Sequence, residues 1–528
     1  MLRLTNFRVP LDYTEGTLRD MLEKKLGIGS DELISFSVYR RSVDARDKKD
    51  VHFVLSVDLT FRHESELKKK HRILSPVSEP SPMVFPARRF RFPPLIVGAG
   101  PSGLFAALVL AGAGAAPVLI ERGSPVEKRQ ADVLRMTDSG LLNPESNIQF
   151  GEGGAGAFSD GKLTCGIKSP YLRFVLETFV RFGAPADILI DQKPHIGTDL
   201  LRKVISSIRD EIIRLGGTVL FETRMEEMLI HHGSVSGVRV SENGVLRDIR
   251  TDHVLLCIGH SARDTVQQLF TQGMHFTQKP FAMGVRIEHP RAMIDRVQYG
   301  AFAGHPALGP ASYKLVCHTP DQRGVYTFCM CPGGYVIPAA SQPSGVVVNG
   351  MSYHDRAAEN SNSALLVGIH PADFGDDHPL AGFILQRSIE KSAYAAGGGG
   401  FKAPAQRVED FLADRESARF GDVVPSYCPG VVPADLRAVL PDYICRNLKA
   451  GIRAMNSQLA GFSMPDAVLT GPETRSSSPV RMTRLHTGEA EGISGLYPAG
   501  EGAGYAGGIV SSAVDGITAA ESLLRQAE

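Results

Sequence analysis

At about 100–200 residues per folding unit, a chain of 528 residues holds two to four units and enough material for a large buried core. Its 57 Lys and Arg balance 57 Asp and Glu, which excludes a surface that is basic throughout but leaves room for a local basic patch. Apolar residues at 43% and charged residues at 22% exclude wholesale disorder, and 55 glycines, above the ~7% average, point to repeated close backbone approach or positive φ.

Residues 1–80 read as a small N-terminal α+β domain. Thr14 opens a capped helix carrying Leu18, Met21 and Leu22, and 33–39 and 51–61 read as strands. The first 94 residues hold 18 basic and 13 acidic side chains. The surplus concentrates between 62 and 91, at Arg62, Lys68, Lys69, Lys70, Arg72, Arg88, Arg89 and Arg91. Within it, 75–82 has the Pro- and Ser-rich composition of a linker, which 81–94 continues as a basic connector. This stretch is either a solvated connector or a grip on an anionic partner such as RNA.

From 95 the texture becomes α/β. Residues 95–97 and 118–120 read as short apolar strands around a helix at 102–111. The 26 residues 95–120 carry no charge and are long enough to span a bilayer. Gly98, Gly100, Pro101, Gly103, Gly112, Gly114 and Pro117 argue against a membrane span and for a nucleotide-binding turn. Apolar residues at 201, 204, 205, 208, 212 and 215 predict a helix with one buried face, closed by Gly216-Gly217. A strand at 218–221, a hairpin turn at Asn243-Gly244 and a buried strand at 254–258 follow. Residues 276–465 read as an irregular, Gly- and Pro-rich inserted substrate domain. The parts 95–275 and 466–528 then form one discontinuous domain, its last fifty residues returning to strand, glycine turn and helix.

Three segments match GxGxxG, which is weak evidence alone. Only Gly98-Ala99-Gly100-Pro101-Ser102-Gly103 has the full frame of strand, turn, helix and returning strand. Gly98 permits the tight turn, Gly100 lets the backbone approach a pyrophosphate, and Gly103 lets helix and strand pack closely. Glu121, 18 residues after Gly103, is placed to accept from a ribose hydroxyl and disfavours a 2′-phosphate, so FAD or NAD is expected ahead of NADP.

Beyond this turn, 201–228, Cys257-Ile258-Gly259 and Gly495-Leu496-Tyr497-Pro498-Ala499-Gly500-Glu501 resemble the FAD proteins with a glutathione-reductase-like nucleotide domain. The segments 150–156, 159–163, 195–199, 259–264 and 500–508 resemble, more narrowly, a bacterial and plastid family described as FAD-dependent or "NAD(FAD)-utilising" dehydrogenases. The resemblance covers nearly the whole chain and implies a Rossmann-like α/β FAD domain, an inserted α+β domain and a small N-terminal domain. It also implies an FAD site at Gly98, Gly100, Pro101, Ser102, Gly103, Glu121, Arg122, Gly153, Gly154, Met225, Gly259, Gly500, Glu501, Gly507, Gly508 and Ile509. The family's aspartate is Glu501 here, which keeps the acceptor and lengthens its reach. The helix near Ile509 aims its N-terminal dipole at the flavin pyrimidine edge.

For the reaction itself the candidates are Cys331, as a thiolate or acid near the flavin, and Lys162, as a cation for charge formed on hydride transfer. Asp160, Arg263 and Asp264 are further ligand contacts or surface ion pairs, and His260 is a candidate by neighbourhood. Cys329 and Cys331, two residues apart, are poorly spaced for a disulfide and supply too few ligands for a metal, so no metal is expected. Seven scattered cysteines and the absence of a signal peptide point to the cytoplasm. With no tryptophan, the Trp-containing signature of flavin halogenases is missing.

Three functions remain open. The first is an FAD-dependent oxidoreductase passing a hydride between flavin N5 and a small molecule, or NAD(P)H as a transient co-substrate. The second is a flavin-dependent RNA-modifying enzyme using 62–91, and the third a flavin-binding sensor without turnover.

Overall fold

The computed structural model describes residues 1–78 and 83–526, so 79–82 of the expected linker lie outside the described residues. The architecture is mixed α/β, with parallel and antiparallel sheets.

Four strands open the chain. His52–Phe61 and Leu2–Val9 are central, and Leu33–Asp44 and Leu74–Pro76 lie at the edges. Leu2, Leu4, Leu55, Val57 and Leu59 are buried with Leu18, Leu22 and Leu26 of helix Glu15–Leu26. That helix is capped by Thr14, which accepts from the Thr17 N–H, and is closed by Gly27 at φ 57°. The strand Leu2–Val9 is invisible to pattern reading, because a bulge between Leu4 and Phe7, with Asn6 at φ 55°, breaks its alternation. Ser75 and Pro76 pair with Arg3 and Leu2, so the expected linker begins as an edge strand. The unit docks on the rest of the chain through Arg41–Asp191 at 2.7 Å and through Tyr299, Phe302 and Leu308.

The nucleotide domain holds a parallel sheet ordered Leu496–Pro498, Val254–Leu256, Leu95–Val97, Val118–Ile120, Thr218–Leu220. Helix Pro101–Gly112 is buried almost all round, between this sheet and helices Ile509–Gln526 and Thr198–Arg214. Its position accounts for the uncharged run 95–120. Among the described residues no helix is long and apolar enough to cross a membrane.

The segment read as irregular contains a seven-stranded sheet. Its order is Val316–His318, Gly324–Cys331, Asn360–Ile369, Phe281–Pro290, Val468–Glu473, Ala403–Arg407, Val431–Pro433. The strands Phe281–Pro290 and Asn360–Ile369 are buried on both faces, so no two-residue alternation marks them. Met283, Val285, Leu365 and Val367 face helices Ala381–Ala396 and Asp442–Gln458. Strand Val468–Glu473 belongs to this sheet, past the boundary expected at 465.

The two core helices meet at glycines. A Cβ on Gly516 would stand 2.0 Å from the Ser102 carbonyl oxygen. An exposed helical Gly→Ala change gains up to ~1 kcal/mol, whereas overpacking costs ~1–3 kcal/mol. Gly516→Ala is therefore expected to lower the unfolding free energy by a net ~1–2 kcal/mol, read as a lower denaturant midpoint.

Candidate functional site

The carboxyl ends of the parallel strands and one face of the seven-stranded sheet border a cleft enclosing about 1560 Å³, its open mouth included. Such strand ends are where open α/β sheets bind ligands.

Sixteen of the residues singled out from sequence line this cleft: Gly98, Gly100, Pro101, Ser102, Glu121, Arg122, Gly154, Lys162, Met225, Gly259, Cys331, Gly500, Glu501, Gly507, Gly508 and Ile509. Gly98 sits at φ 104°, where a Cβ would lie 2.4 Å from the Cys257 carbonyl oxygen. Helix Pro101–Gly112 begins at Gly100 without a side-chain cap or an acidic residue in its first turn, so its leading amides are free for an anion. Helix Ile509–Gln526 likewise has no acid in its first turn.

Two of the expected FAD-site residues do not line the cleft. Gly103 lies behind the turn, where a Cβ would be 1.8 Å from the Gly98 carbonyl oxygen; its smallness serves packing. Gly153, at φ 82°, is backed by Ile205, whose Cδ1 would be 2.5 Å from a Cβ.

Other expected contacts are already engaged. Glu121 accepts from three backbone amides, Ala99 at 2.8 Å and Gly123 and Gly151 at 2.9 Å each, so its main task is to hold the glycine turns together. Arg122 pairs with Glu145 and Asp264 and stacks over Phe150. Arg263 points away from the cleft to grip Glu390.

Lys162 donates to the Met330 carbonyl and stands 3.6 Å from Asp160. Burial opposes ionisation of Asp160, yet Lys162 and Arg356 hold it down to about 2. Cys331 is only 1% exposed, and its thiol donates to the Cys329 carbonyl at 3.3 Å. Burial pushes that thiol up, so of the two roles expected from sequence it disfavours the thiolate and leaves the acid. The sulfur open to the cleft is that of Cys329, at φ 41° in a bulge; its setting deep in the fold pushes it up to about 11.

Sequence reading missed the group that organises this wall. Arg286 is fully buried and donates to Glu473 at 2.6 Å, to Asn349 Oδ1 at 2.9 Å, to Asn362 Oδ1 at 3.1 Å and to the Cys329 carbonyl at 2.8 Å. Glu473, Asn349 and Cys329 all line the cleft. The available signal was one cation inside the apolar run 281–287.

Residues 91–139 match the family described as "FAD binding domain", and 280–476 match "FAD-dependent protein, C-terminal domain-like". Residues 1–60 match a domain of unknown function. A protein of Clostridium beijerinckii described as uncharacterized is 43% identical over 530 residues, with 99% of each chain covered. The chain belongs to this family of FAD-dependent proteins. Among solved structures, a geranylgeranyl bacteriochlorophyll reductase-like protein of Thermoplasma acidophilum shares 12% identity, with a TM-score of 0.36 over 82% of this chain and 78% of its own. A flavin-dependent brominase shares 10% identity, with a TM-score of 0.38 over 83% and 82%. Similarity of that size says nothing of what this chain acts on.

The cleft fits FAD in chemistry: glycine turns in which main chain fills the Cβ positions of Gly98 and Gly502, the uncapped N-terminus of helix Pro101–Gly112 and a lining acid, Glu501. Burial pushes Glu501 up to about 7, against the pull of Lys279. A carboxyl raised from 4.5 in the unfolded chain lends its full stability below that pH and loses it as pH rises through about 7. In flavin-free protein, Glu501→Gln is therefore expected to match wild type near pH 4 and to exceed it by up to ~3 kcal/mol at pH 8, measured by denaturant unfolding.

Proposed function

We propose that this protein is an FAD-dependent oxidoreductase acting on a small molecule held between the glycine turns and the wall built on Arg286. The observation that supports this reading is convergence: the glycine turns, Lys162, Cys329 and Glu473 border one cleft. When bound, FAD supplies hydride exchange at N5, which no side chain of the protein can perform.

The protein's own part is position, charge and exclusion of water. Gly98, Gly100 and Gly500 bring backbone close to the ligand, and the first turn of helix Pro101–Gly112 offers amides to its phosphates. Helix Ile509–Gln526 and Lys162 favour negative charge at the reacting end of the cleft. Arg286 fixes Glu473 and the Cys329 carbonyl, so the substrate-side wall is rigid and polar. Cys331, protonated and donating to that carbonyl, acts as a brace, and Cys329 meets the substrate.

Purified protein is expected to show flavin absorbance that bleaches anaerobically on adding NADPH or NADH. Lys162→Met should slow bleaching about 100-fold while leaving flavin content unchanged. Protein that is colourless and cannot be reconstituted with FAD would overturn the proposal. Bands that persist would move the reductant from nicotinamide to the substrate itself.

A second reading, a flavin enzyme acting on RNA, draws on the basic stretch. Arg62, Lys68, Lys69, Lys70, Arg72, Arg89 and Arg91 are exposed and have no ion pair among the described residues. On this reading the full chain binds single-stranded RNA with an affinity that falls steeply with salt. Replacing Lys68, Lys69 and Lys70 by Ala reduces the log–log slope by about 2. An unchanged slope would remove RNA from consideration.

A further inference from the structure

Residues 98–102, 500–502 and 259–261 form one arc of backbone. A Cβ on Gly500 would lie 2.9 Å from Ser102 Cβ, and one on Gly502 would lie 2.3 Å from the Gly259 carbonyl oxygen. The arc continues to Arg475, whose Nη1 donates to Ser261 Oγ at 3.2 Å and to Ser341 Oγ at 2.6 Å. His260, Ser261 and Arg475 all line the cleft.

Two features of this wall are unbalanced. Arg475 and Arg263, both buried, share one buried carboxylate, Glu390, with contacts of 3.0–3.1 Å and 2.8–2.9 Å. Two guanidinium groups against one carboxylate leave a surplus positive charge in the interior. Lys279 and Arg387 add to it, and the acid beside His260, Glu501, is one that burial keeps easily protonated. An interior charge without a partner is costly and persists where something meets it. The second feature is His260, 8% exposed, whose Nε2 has no hydrogen-bond partner among the described residues. Burial, then Arg475 and Arg263, push its pKa down to about 3, so the ring is neutral. Its Nδ1 stands 3.6 Å from Glu501; beside the protonated acid Nδ1 is the bare nitrogen, so the ring proton sits on Nε2, which donates to a ligand.

We infer that His260, Ser261 and Arg475 form an anion subsite of the cleft, taking a phosphate or carboxylate group of a ligand. The inference rests on the cleft being the flavin site. The anion has two sources, the phosphates of FAD or an acidic substrate, and one set of titrations separates them.

Arg475→Gln leaves Arg263 and Glu390 as a neutral pair and is the variant to compare with wild type, with thermal melting as the check of folding. Flavin-free protein is titrated with FAD and with riboflavin, which lacks phosphates, and holoprotein with inorganic phosphate, followed by calorimetry and the flavin spectrum. If the cofactor's phosphates occupy the subsite, the variant binds FAD about 10- to 100-fold more weakly and riboflavin as before. If a substrate anion does, FAD binding is unchanged and the phosphate response of the holoprotein is lost. Arg475→Lys, which keeps the charge, should recover part of either effect. A variant that binds FAD, riboflavin and phosphate as wild type does would overturn the inference. Should Arg475→Gln fail to fold, His260→Leu, which leaves all three charges in place, carries the same comparison. A wild-type protein that binds no FAD would sink the flavin reading alone, since phosphate calorimetry on that protein still tests the subsite.

Discussion

The buried carboxylate of Glu121 ties Ala99, Gly123 and Gly151 to one point through their backbone amides. These residues come from three turns packed closely together: a Cβ on Gly123 would lie 2.6 Å from the Gly151 backbone, one on Gly151 would lie 2.4 Å from Arg129 Cδ, and the Gly153 N–H donates to the Ala99 carbonyl at 2.8 Å. Arg129, also buried, completes the arrangement by donating to the carbonyls of Asn147, Ile148 and Gly151. With both groups in place the polar backbone around the cleft is satisfied from behind, so its remaining amides are free to face a ligand. Losing either would leave several buried polar groups unpaired, which costs more than any one hydrogen bond contributes.

The cleft exists only because a second domain closes it, and charge holds that domain in register. Arg263 leaves the nucleotide domain to meet Glu390 on helix Ala381–Ala396, and Asp160 meets Ser352 and Arg356. Arg286 does the corresponding work inside the seven-stranded sheet, with Glu473 and Asn349 as its reach toward the ligand. Buried ion pairs of this kind add little net stability over apolar packing. Here they place donors and acceptors where apolar side chains would leave a featureless wall.

Much of the nucleotide domain was legible in the sequence, for a local reason. A glycine turn followed by a buried helix is specified by consecutive residues, so Gly98, Gly100 and Gly103 announce their geometry. The amphipathic spacing from Leu201 onward announces helix Thr198–Arg214 in the same way. The first strand and the seven-stranded sheet were not legible. A bulge at Asn6 breaks the alternation of one, and burial on both faces erases it in the other.

By itself the sequence determined the fold of the nucleotide domain, the cofactor class and most of the glycines that border the cleft, because close backbone approach leaves so few residue types. Only the tertiary structure decided that Glu121 serves the backbone, that Cys331 keeps its proton while Cys329 faces the cleft, and that Arg263 turns away while Arg475 turns in. Those outcomes depend on burial and, for Arg263 and Arg475, on partners more than a hundred residues distant, brought together by strand register and domain closure. No local spacing encodes them.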